Sequence, residues 1–350
     1  PKGFACSVKG YADSGTIGTV TGKAVKISGR VQLDSRVAIA DGQVAAAGHV
    51  NMDDVAYGVP GYFIKAKGVP CRAEVRLTRK KTGEISVDDI SGILDVITVQ
   101  ASGTISNEQK IDAKITVRTK DSGKAASLFN LNEDLRGGEA NIDLEVKDLV
   151  LPLTRLPLLV GSVQMKKGFL RVPGMPGAMK NIDLSADFRG HECDVTVNGL
   201  TTGSSVVKKA SLKISGFDTP APKFDMIVSF DRLNSKDFST GRDLAMRSIH
   251  KDSVLAQLSG KISIRAADVN LGSIPAKDLE ISAFMTDRKI NVSDLKLRVL
   301  GGDTDIKGMV DLSGPVPSLY AHGRMARIKA DMSFAAMGGA SREITGDGYI

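Results

Sequence analysis

The sequence has few of the aromatic residues that binding sites for sugars and nucleic-acid bases use. Trp is absent, and Phe, Tyr and Trp together make up 5% of the 350 residues. Carbohydrate clefts and platforms for single-stranded nucleic acid both rely on stacking against aromatic faces. The 47 basic residues, against 40 acidic ones, are scattered, whereas nucleic-acid binders concentrate them on one face or helix. We therefore expect no nucleic-acid partner and interpret the surface as solvated and mildly basic, with weak attraction to anionic lipid headgroups as the functional alternative.

The sequence also lacks the residue spacings of a metal site. Its three cysteines form no C-x-x-C pair, and an odd number cannot all pair within one chain. Its four histidines lie too far apart for a zinc motif. His191-Glu192-Cys193 resembles ligand chemistry, but Cys193 falls in register with Val195 and Val197, which predicts a small apolar strand residue. We expect no metal and no cofactor, and the sequence leaves the disulfide state open for Cys6, Cys71 and Cys193.

No sequence motif of a common enzyme class is present. The chain has no G-x-S-x-G, no H-E-x-x-H and no P-loop. The adjacent carboxylates Asp88-Asp89 fall in a predicted turn, where solvation is the simpler interpretation. The sequence therefore predicts a protein that is not an enzyme.

Long apolar runs are missing as well. There is no signal peptide and no stretch of 18 apolar residues, so no part of this sequence is expected to span a membrane. The chain begins at Pro1 without a methionine and stops at 347–350, in what looks like a new strand. We interpret it as a fragment of a longer protein from which a signal or anchor helix has been left out.

What the sequence does have is alternation of apolar and polar residues with a period of two. Five examples are the runs 111–117, 142–146, 182–188, 224–230 and 279–285. Each run is short and ends in Gly, Asn, Asp or Pro, which are turn residues. This pattern is typical of antiparallel strands with one apolar and one polar face. It predicts an all-β fold of about 20 strands.

One stretch departs from the alternation. In 239–258 the apolar residues recur near helical spacing, with Ser and Thr available as N-caps, and Lys236-Asp237-Phe238 is expected to form a short turn before it. We predict one short helical insertion near 236–258 that covers an end or an edge of the sheet. The whole chain 1–350 is expected to form one elongated repetitive unit, with a possible seam at this insertion between 1–235 and 259–350.

About 20 strands allow two architectures. An open twisted sheet rarely exceeds about 10 strands without curling or splitting into two packed layers. Two layers would give β-sandwiches with closed cores. A single long sheet would curl into a half-pipe with an apolar interior, on the order of 90 Å long at a strand spacing of about 4.8 Å. The inward residues are mostly aliphatic or Met, which suits a face that adapts to a variable apolar partner but also suits a sandwich core.

Two segments resemble a known family. The segment DLEISAFMTDRKINVSDLKLRVLGGDTDIKGMVDLSGPVPSLYAHGRMARIKAD (Asp278–Asp331) combines a strand, a hairpin of the type KINVSDLKLRVLGG, a second glycine-spaced hairpin and a Pro-containing break. Upstream, LPLLVGSVQMKKGFLRVPG and the runs that follow it have similar glycines, register and polar corners. These features resemble the AsmA-like family of Gram-negative envelope proteins. The likeness covers 140–350, and before residue 100 only the alternation matches.

The resemblance implies a fold, a place and a role. Family members form a long curled, mainly antiparallel sheet whose groove has an apolar interior, and they are similar to bridge-like lipid transfer proteins. They are held in the inner membrane by an N-terminal helix, which this sequence lacks, and they cross the periplasm. The implied role is phospholipid or other acyl-lipid transport in outer-membrane biogenesis, with the two membrane surfaces, or membrane proteins at each end, as partners. Which lipid moves, in which direction and by what energy source stays open.

The candidate lipid-binding residues are the inward apolar positions of the alternating runs. The alternative is that the same residues fill a sandwich core, in a ligand-free structural or interaction module of the cell envelope. The candidates are Ile142, Leu144, Val146, Ile182, Leu184, Val195, Val197, Phe224, Met226, Val228, Phe230, Leu279, Ile281, Ile290, Val292, Leu297, Val299, Ile306 and Val310.

The segment LRVLGGDTDIKGMVDL (Leu297–Leu312) combines glycines with spaced aspartates. A calcium loop of the β-helix kind would need this unit repeated, and a phosphate loop would need a helix after it. Neither condition holds, so we predict a tight hairpin turn at Gly301-Gly302, where one or both residues need a positive φ. The turn would join Leu297 and Val299 to Ile306 and Val310 on one apolar face.

Overall fold

A computed structural model describes most of the chain, and its fold is all-β and mainly antiparallel, as the alternation predicts. The described residues are 3–13, 26–59, 63–108, 110–129, 135–150, 157–171, 177–219, 221–238, 258–314, 318–329 and 347–349. They form 24 strands, one α-helix and one short 3₁₀ turn. The predicted helical insertion lies almost wholly outside the described residues, since 239–257 are not among them. The short turn predicted before it is the 3₁₀ turn Ser235–Asp237.

The elements follow one another in this order: β1 Phe4–Asp13, β2 Lys26–Ser28, β3 Arg30–Ala40, β4 Gln43–Asn51, β5 Ala56–Val59, β6 Phe63–Lys65, β7 Cys71–Arg79, β8 Ile85–Leu94, β9 Ile97–Ile105, β10 Lys110–Thr119, α1 Ser122–Leu128, β11 Leu135–Arg136, β12 Glu139–Val150, β13 Leu158–Leu170, β14 Met179–Gly190, β15 Glu192–Val197, β16 Leu200–Thr202, β17 Ser205–Ser215, β18 Lys223–Asn234, the 3₁₀ turn, β19 Ser259–Leu271, β20 Ile274–Thr286, β21 Lys289–Val299, β22 Gly302–Asp311, β23 Ser318–Lys329 and β24 Asp347–Tyr349.

The chain divides into two compact units. Unit 1 comprises Pro1–Gly168 and Asp187–Gly190, and unit 2 comprises Phe169–Ala186 and His191–Ile350. The possible seam that the sequence suggested at 236–258 therefore falls inside unit 2.

Unit 1 is built on one antiparallel sheet in which strands neighbouring in sequence are usually neighbours in space. The main pairings run β1–β3–β4–β7–β8–β9–β10–β12–β13. Short turns of two to five residues join four of these eight pairs, since an antiparallel pair can be closed by a turn as short as two residues. A second sheet of three short strands, β2, β5 and β6, accompanies it.

A small cap lies over one end of the unit 1 sheet. Helix α1 begins at the N-cap Asp121, whose carboxylate accepts the Lys124 backbone N–H at 2.9 Å. Its Ala125 and Leu128 are buried against Ile97 at the start of β9, and Phe63 of β6 packs on the same cluster. We define these covering parts, α1 with Phe63, as the cap. The sequence did not predict it.

Unit 2 is also built on antiparallel pairing, with one parallel pair. The pairings run β14–β16–β17–β18 and β19–β20–β21–β22–β23–β24, while β15 also pairs with β17. Strands β18 and β19 lie parallel. A parallel pair needs a crossover of a dozen or more residues, since the chain must return to the end where the first strand began. The 24 residues 235–258 lie between β18 and β19, which is enough for such a connection.

The β21–β22 hairpin corrects the predicted turn by one residue. Val299 pairs with Gly302, so the turn consists of Leu300 and Gly301, and both have a positive φ, 52° and 75°. A two-residue hairpin with two positive φ values has the twist that adjacent strands require. Gly302 instead belongs to β22 and is buried. The sequence prediction placed the turn one residue too late, because a bulky residue such as Leu300 rarely adopts a positive φ.

Candidate functional site

One face of the unit 2 sheet is apolar across β15 and β17–β22. Residues that pair across neighbouring strands share a face, and residues two apart along a strand share it too. One row of paired residues runs from Val195 through Leu212, Met226, Ile262 and Ala283 to Val292. We call this surface the apolar face of unit 2. Its members are Cys193, Val195, Val197, Leu212, Ile214, Phe224, Met226, Val228, Phe230, Ile262, Ile264, Leu279, Ile281, Ala283, Met285, Ile290, Val292, Leu295, Leu297, Val299, Ile306 and Val310.

Unit 1 has a corresponding surface, the apolar face of unit 1. A row of it crosses from Val75 through Ile90, Ala101 and Ile115 to Leu144. Its members are Val37, Ala46, Val50, Ala73, Val75, Leu77, Val87, Ile90, Val99, Ala101, Ala113, Ile115, Val117, Ile142, Leu144, Val146, Leu159 and Val163.

Strand pairing places seventeen of the nineteen candidate residues on these two faces, all except Ile182 and Leu184. Ile142, Leu144 and Val146 belong to unit 1, and the other sixteen belong to unit 2. Ile182 and Leu184 flank Asp183, which exchanges backbone hydrogen bonds with Asn198 and Gly199, so they lie beside the apolar residues of β15 and β16. As predicted, Leu297 and Val299 lie on the same face as Ile306 and Val310.

Most of the candidate residues are only half-buried. Of the nineteen, Ile182, Leu279, Leu297 and Val299 are buried, and the other fifteen keep intermediate exposure. A sandwich core would bury such residues between two sheets about 10 Å apart. Two buried clusters are found among the described residues. One joins neighbouring strands of the same sheet, and the other joins the sheet to the cap. The faces therefore resemble open apolar surfaces more than closed cores.

Glycines concentrate on the apolar faces. Gly48, Gly92, Gly103, Gly260 and Gly308 all pair with apolar-face residues of neighbouring strands. A Cβ on Gly92 would come within 2.9 Å of the Arg72 carbonyl oxygen, and Gly103, Gly260 and Gly308 would meet a neighbouring carbonyl oxygen more closely still. The strand backbones approach closely on this side because no side chain separates them.

The opposite face of each sheet carries charges of alternating sign. In unit 2 one row runs Arg265, Glu280, Lys296, Asp305 and Arg324 on five successive strands. Each pair is exposed, so each contributes little to stability. Opposite charges directly across from one another nevertheless favour this register over a slipped one. We call this side the charged face of its unit.

The charged face also holds shallow depressions. One of about 540 Å³ in unit 1 lies between the side chains of residues such as His49, Arg72, Glu74 and Arg118. Arg72 is already paired with the Asp53 carboxylate at 2.6 Å, and this guanidinium is the main reason that the pKa of Asp53 lies below its ordinary value. We interpret these depressions as gaps between the long side chains of the charged face.

A polar cluster fixes the end of β18 in unit 2. The Asp237 carboxylate accepts the backbone N–H groups of Ser204 and Ser205 at 2.9 and 2.8 Å, and also both hydroxyls. Burial raises the pKa of Asp237, but these donors outweigh it, so the pKa lies below its usual value of 3.8. The cluster ties the 3₁₀ turn to the β16–β17 turn. Because one oxygen of this carboxylate, Oδ2, accepts all four hydrogen bonds from its own chain, we interpret the cluster as structural.

Residues expected to carry other chemistry take ordinary roles. Cys193 is buried in β15, in line with the prediction of a small apolar strand residue. The Asp88-Asp89 turn prediction is wrong, because both residues lie in β8, where the register shifts between Val87 and Ile90. The hydroxyls of Ser86 and Thr78 hold the pKa of the Asp88 carboxyl below its ordinary value.

Sequence reasoning missed a large part of the apolar faces. Val75, Leu77 and Val99 lie before the region of family resemblance, and Leu212 and Ile262 lie in runs that were not singled out. All of them show the same alternation, which is the signal that could have found them.

Among the described residues, no disulfide joins any of the three cysteines. Within the described part of the chain, no group of three or more His, Cys, Asp and Glu residues is arranged to hold a metal ion. The described helices include none with the length and apolar character needed to cross a membrane. Comparison with protein-family models, with curated proteins and with solved structures finds no match.

Proposed function

We propose that the chain is a lipid-transfer segment that shields phospholipid acyl chains on the apolar faces of its two units and catalyses no reaction. The observation that carries this proposal is the in-register apolar face, shared by successive long strands and left half-exposed. Contiguous exposed apolar surface of this kind is typical of sites that bind an apolar partner.

Free energy explains why such a face suits a lipid. Each CH₂ group left in water costs about 0.8 kcal/mol, so a 16-carbon acyl chain costs on the order of 12 kcal/mol to expose. An open face covers that chain while the charged headgroup stays in water, where its solvation is retained. A binding surface without a deep, shaped pocket would let the lipid move from row to row, which transfer requires.

The glycines support a groove. A sheet that bends toward one face brings the backbones on that side together, and small residues there avoid collisions. The close approaches at Gly103, Gly260 and Gly308 occur on the apolar faces. We therefore propose that each apolar face is the inside of a groove.

The setting of this function rests on the family resemblance. An AsmA-like protein would act in the periplasm between the inner and outer membranes, anchored through a helix that precedes the segment described here. The inner and outer membrane surfaces, or membrane proteins at each end, are its proposed partners.

The experiment that tests the proposal compares the two faces of β18. The double variant Met226→Asp with Val228→Asp places two charges on the apolar face, and Ile227→Asp with Ser229→Asp places the same charges on the charged face. We expect both variants to keep the circular dichroism of the β-sheet. Only the first should lose binding of a fluorescent phospholipid, by at least tenfold.

Two results would contradict this account. If the apolar-face variant unfolds while its partner variant does not, the face is a closed core, as in a ligand-free structural module. If both variants bind phospholipid as the unchanged chain does, the apolar face of unit 2 does not carry lipid.

A further inference from the structure

The two ends of the strands in unit 1 differ in chemistry. At the end where β7 begins, the cap closes the apolar face. Leu128 of α1 is buried against Ile97, and Lys124 Nζ is 3.0 Å from the Asp95 carboxylate in the β8–β9 turn. The rings of Phe63 and Phe129 lie 5.5 Å apart at the same place. This end is apolar and covered.

At the opposite end, β7 finishes in the densest basic run of the sequence, Arg79-Lys80-Lys81. Arg79 pairs with Val44 and Ile85, so it lies on the apolar face, in the same row along β7 as Leu77 and Val75. It is nevertheless exposed. An arginine at such a position extends its aliphatic stem along the apolar surface and keeps its guanidinium in water.

The basic run is held in place by neighbouring turns. The Lys80 N–H donates to the Glu84 carbonyl at 2.9 Å, and Gly83 N–H donates to the Lys80 carbonyl. The Asn107 side chain donates to the Thr82 carbonyl, which ties the β7–β8 turn to the β9–β10 turn. Lys80 pairs with Glu84 at 2.7 Å, whereas none of the ion pairs found among the described residues involves Arg79 or Lys81. Within the described part of the chain, two of the three cations at this end of β7, which we call the rim (Arg79, Lys80 and Lys81), therefore have no carboxylate in ion-pair contact.

The distance between the two ends fits an acyl chain. From Cys71 to Arg79 the strand spans eight residue steps, or about 26 Å at about 3.3 Å per residue. One leaflet of a bilayer holds its disordered acyl chains in about 15 Å, half of the hydrocarbon core of about 30 Å, and a chain extended along the sheet with its glycerol and headgroup is longer than this. Small residues such as Ala73, Gly92 and Gly103 lie between the two ends and leave room above the sheet.

We propose that unit 1 binds a phospholipid in one orientation, with the headgroup phosphate at Arg79, Lys80 and Lys81 and the acyl chains running along the apolar face toward the cap. This inference rests on the proposed function and adds to it the headgroup chemistry and the direction of the chain. A phosphate favours a site with guanidinium and ammonium groups, because charge-assisted hydrogen bonds are stronger than neutral ones. The cap then limits how far the chain ends reach.

The test removes the three charges and compares two lipids with identical acyl chains. The variant Arg79→Gln, Lys80→Gln, Lys81→Gln is matched with Lys114→Gln, Lys208→Gln, Lys209→Gln, which loses the same charge from exposed sites in strands β10 and β17. The probes are fluorescent phosphatidylglycerol and a diacylglycerol with the same chains and no phosphate. The rim variant should bind phosphatidylglycerol weaker by on the order of tenfold to a hundredfold, with diacylglycerol binding unchanged. The matched variant should leave both affinities unchanged.

The outcomes separate this inference from the proposed function. If the rim variant keeps its affinity for phosphatidylglycerol, the headgroup assignment is wrong while lipid binding stands. The same conclusion follows if its affinity for diacylglycerol falls to the same extent. If inorganic phosphate alone competes as well as the phospholipid, the rim is a free-anion site and the inference is also wrong. If the unchanged chain binds neither lipid, the proposed function fails together with the inference.

The orientation has its own test. A phosphatidylglycerol with a photoreactive diazirine at the end of its acyl chain should cross-link to the segment 122–129, and one with the diazirine on its headgroup should cross-link to 79–84. Peptide mapping by mass spectrometry reads out both. The reverse pattern, or equal labelling of both segments by both probes, would overturn the orientation.

Discussion

At the scale of single residues, glycine decides how closely two strands can approach. Gly103 lies on the apolar face of unit 1, opposite Ala113 of β10, and a Cβ there would collide with the Asp112 carbonyl oxygen. Gly10 shares that face, but a Cβ on it would meet nothing within 4 Å. The same residue type is thus required at one position and replaceable at the other.

This contrast makes a prediction. Gly103→Ala should lower the free energy of unfolding of unit 1 by about 1–3 kcal/mol, because the added methyl forces backbone shifts. Gly10→Ala should change it by less than about 0.5 kcal/mol. Urea unfolding followed by circular dichroism measures both. Equal effects of the two substitutions would show that the close approach at Gly103 is relieved at no cost.

The carboxylate of Asp237 gives a second residue-scale prediction. Asp237→Ala removes the acceptor of four hydrogen bonds and leaves buried Ser205 without it, so the free energy of local opening should fall by about 2–3 kcal/mol. Hydrogen exchange at the Ser204 and Ser205 amides reports this opening. Asp231→Ala, at an exposed position on the preceding strand β18, is the matched control and should leave exchange unchanged.

The pH dependence of that cluster follows from the lowered pKa of Asp237. A carboxyl whose folded pKa lies below its unfolded value stabilises the fold above the unfolded pKa, and this contribution is lost as the pH falls through the folded pKa. Protection of the Ser205 amide should therefore be constant from pH 7 to 5 and should fall below about pH 4. Protection that rises on acidification would contradict the assigned role of the carboxylate.

At the scale of elements, the strands could be predicted and the helix α1 could not. Alternation over seven or more residues, as in 224–230, indicates a strand with one apolar face directly. Helix α1 has seven residues, which is two turns, and its apolar set of Ala125, Ala126 and Leu128 shows no repeated period. Its stability comes from packing on Ile97, which is distant in sequence.

Which strands pair, and in which register, could not be predicted from the sequence either. The parallel pair β18–β19 and the register shifts, such as the one between Val292 and Leu295, depend on contacts between strands. Most of the membership of the apolar faces could be predicted because it follows from period two, but a register shift such as the one between Val292 and Leu295 changes which residues face the apolar side. The role of the glycines could not, because it depends on which neighbouring carbonyl each one meets.

The cap supplies the element-scale prediction. Leu128→Ala should destabilise α1 by about 2–3 kcal/mol, because the buried leucine loses its packing on Ile97 and leaves a cavity. Ser127→Ala, on the exposed side of the same helix, should cost less than about 0.5 kcal/mol. Hydrogen exchange of the Ala125 amide, which bonds to the Asp121 carbonyl at 3.0 Å, distinguishes the two variants. Equal exchange in both would mean that the cap is not held by its apolar side.

At the scale of the whole molecule, both units share one design. Each is an antiparallel sheet with an apolar face, a charged face and glycines where the backbones approach on the apolar side. A globular enzyme buries its apolar residues and places a few polar groups in a cleft. Here the apolar residues stay half-exposed along many strands, so the proposed site is a surface.

The central claim is that this surface carries acyl lipid. The most direct measurement is mass spectrometry of an organic extract of the purified chain, with the Met226→Asp, Val228→Asp variant prepared in the same way. The account predicts phospholipid in the extract of the unchanged chain, at one or more molecules per chain, and clearly less in that of the variant. An extract free of acyl lipid, from protein purified without detergent, would contradict it.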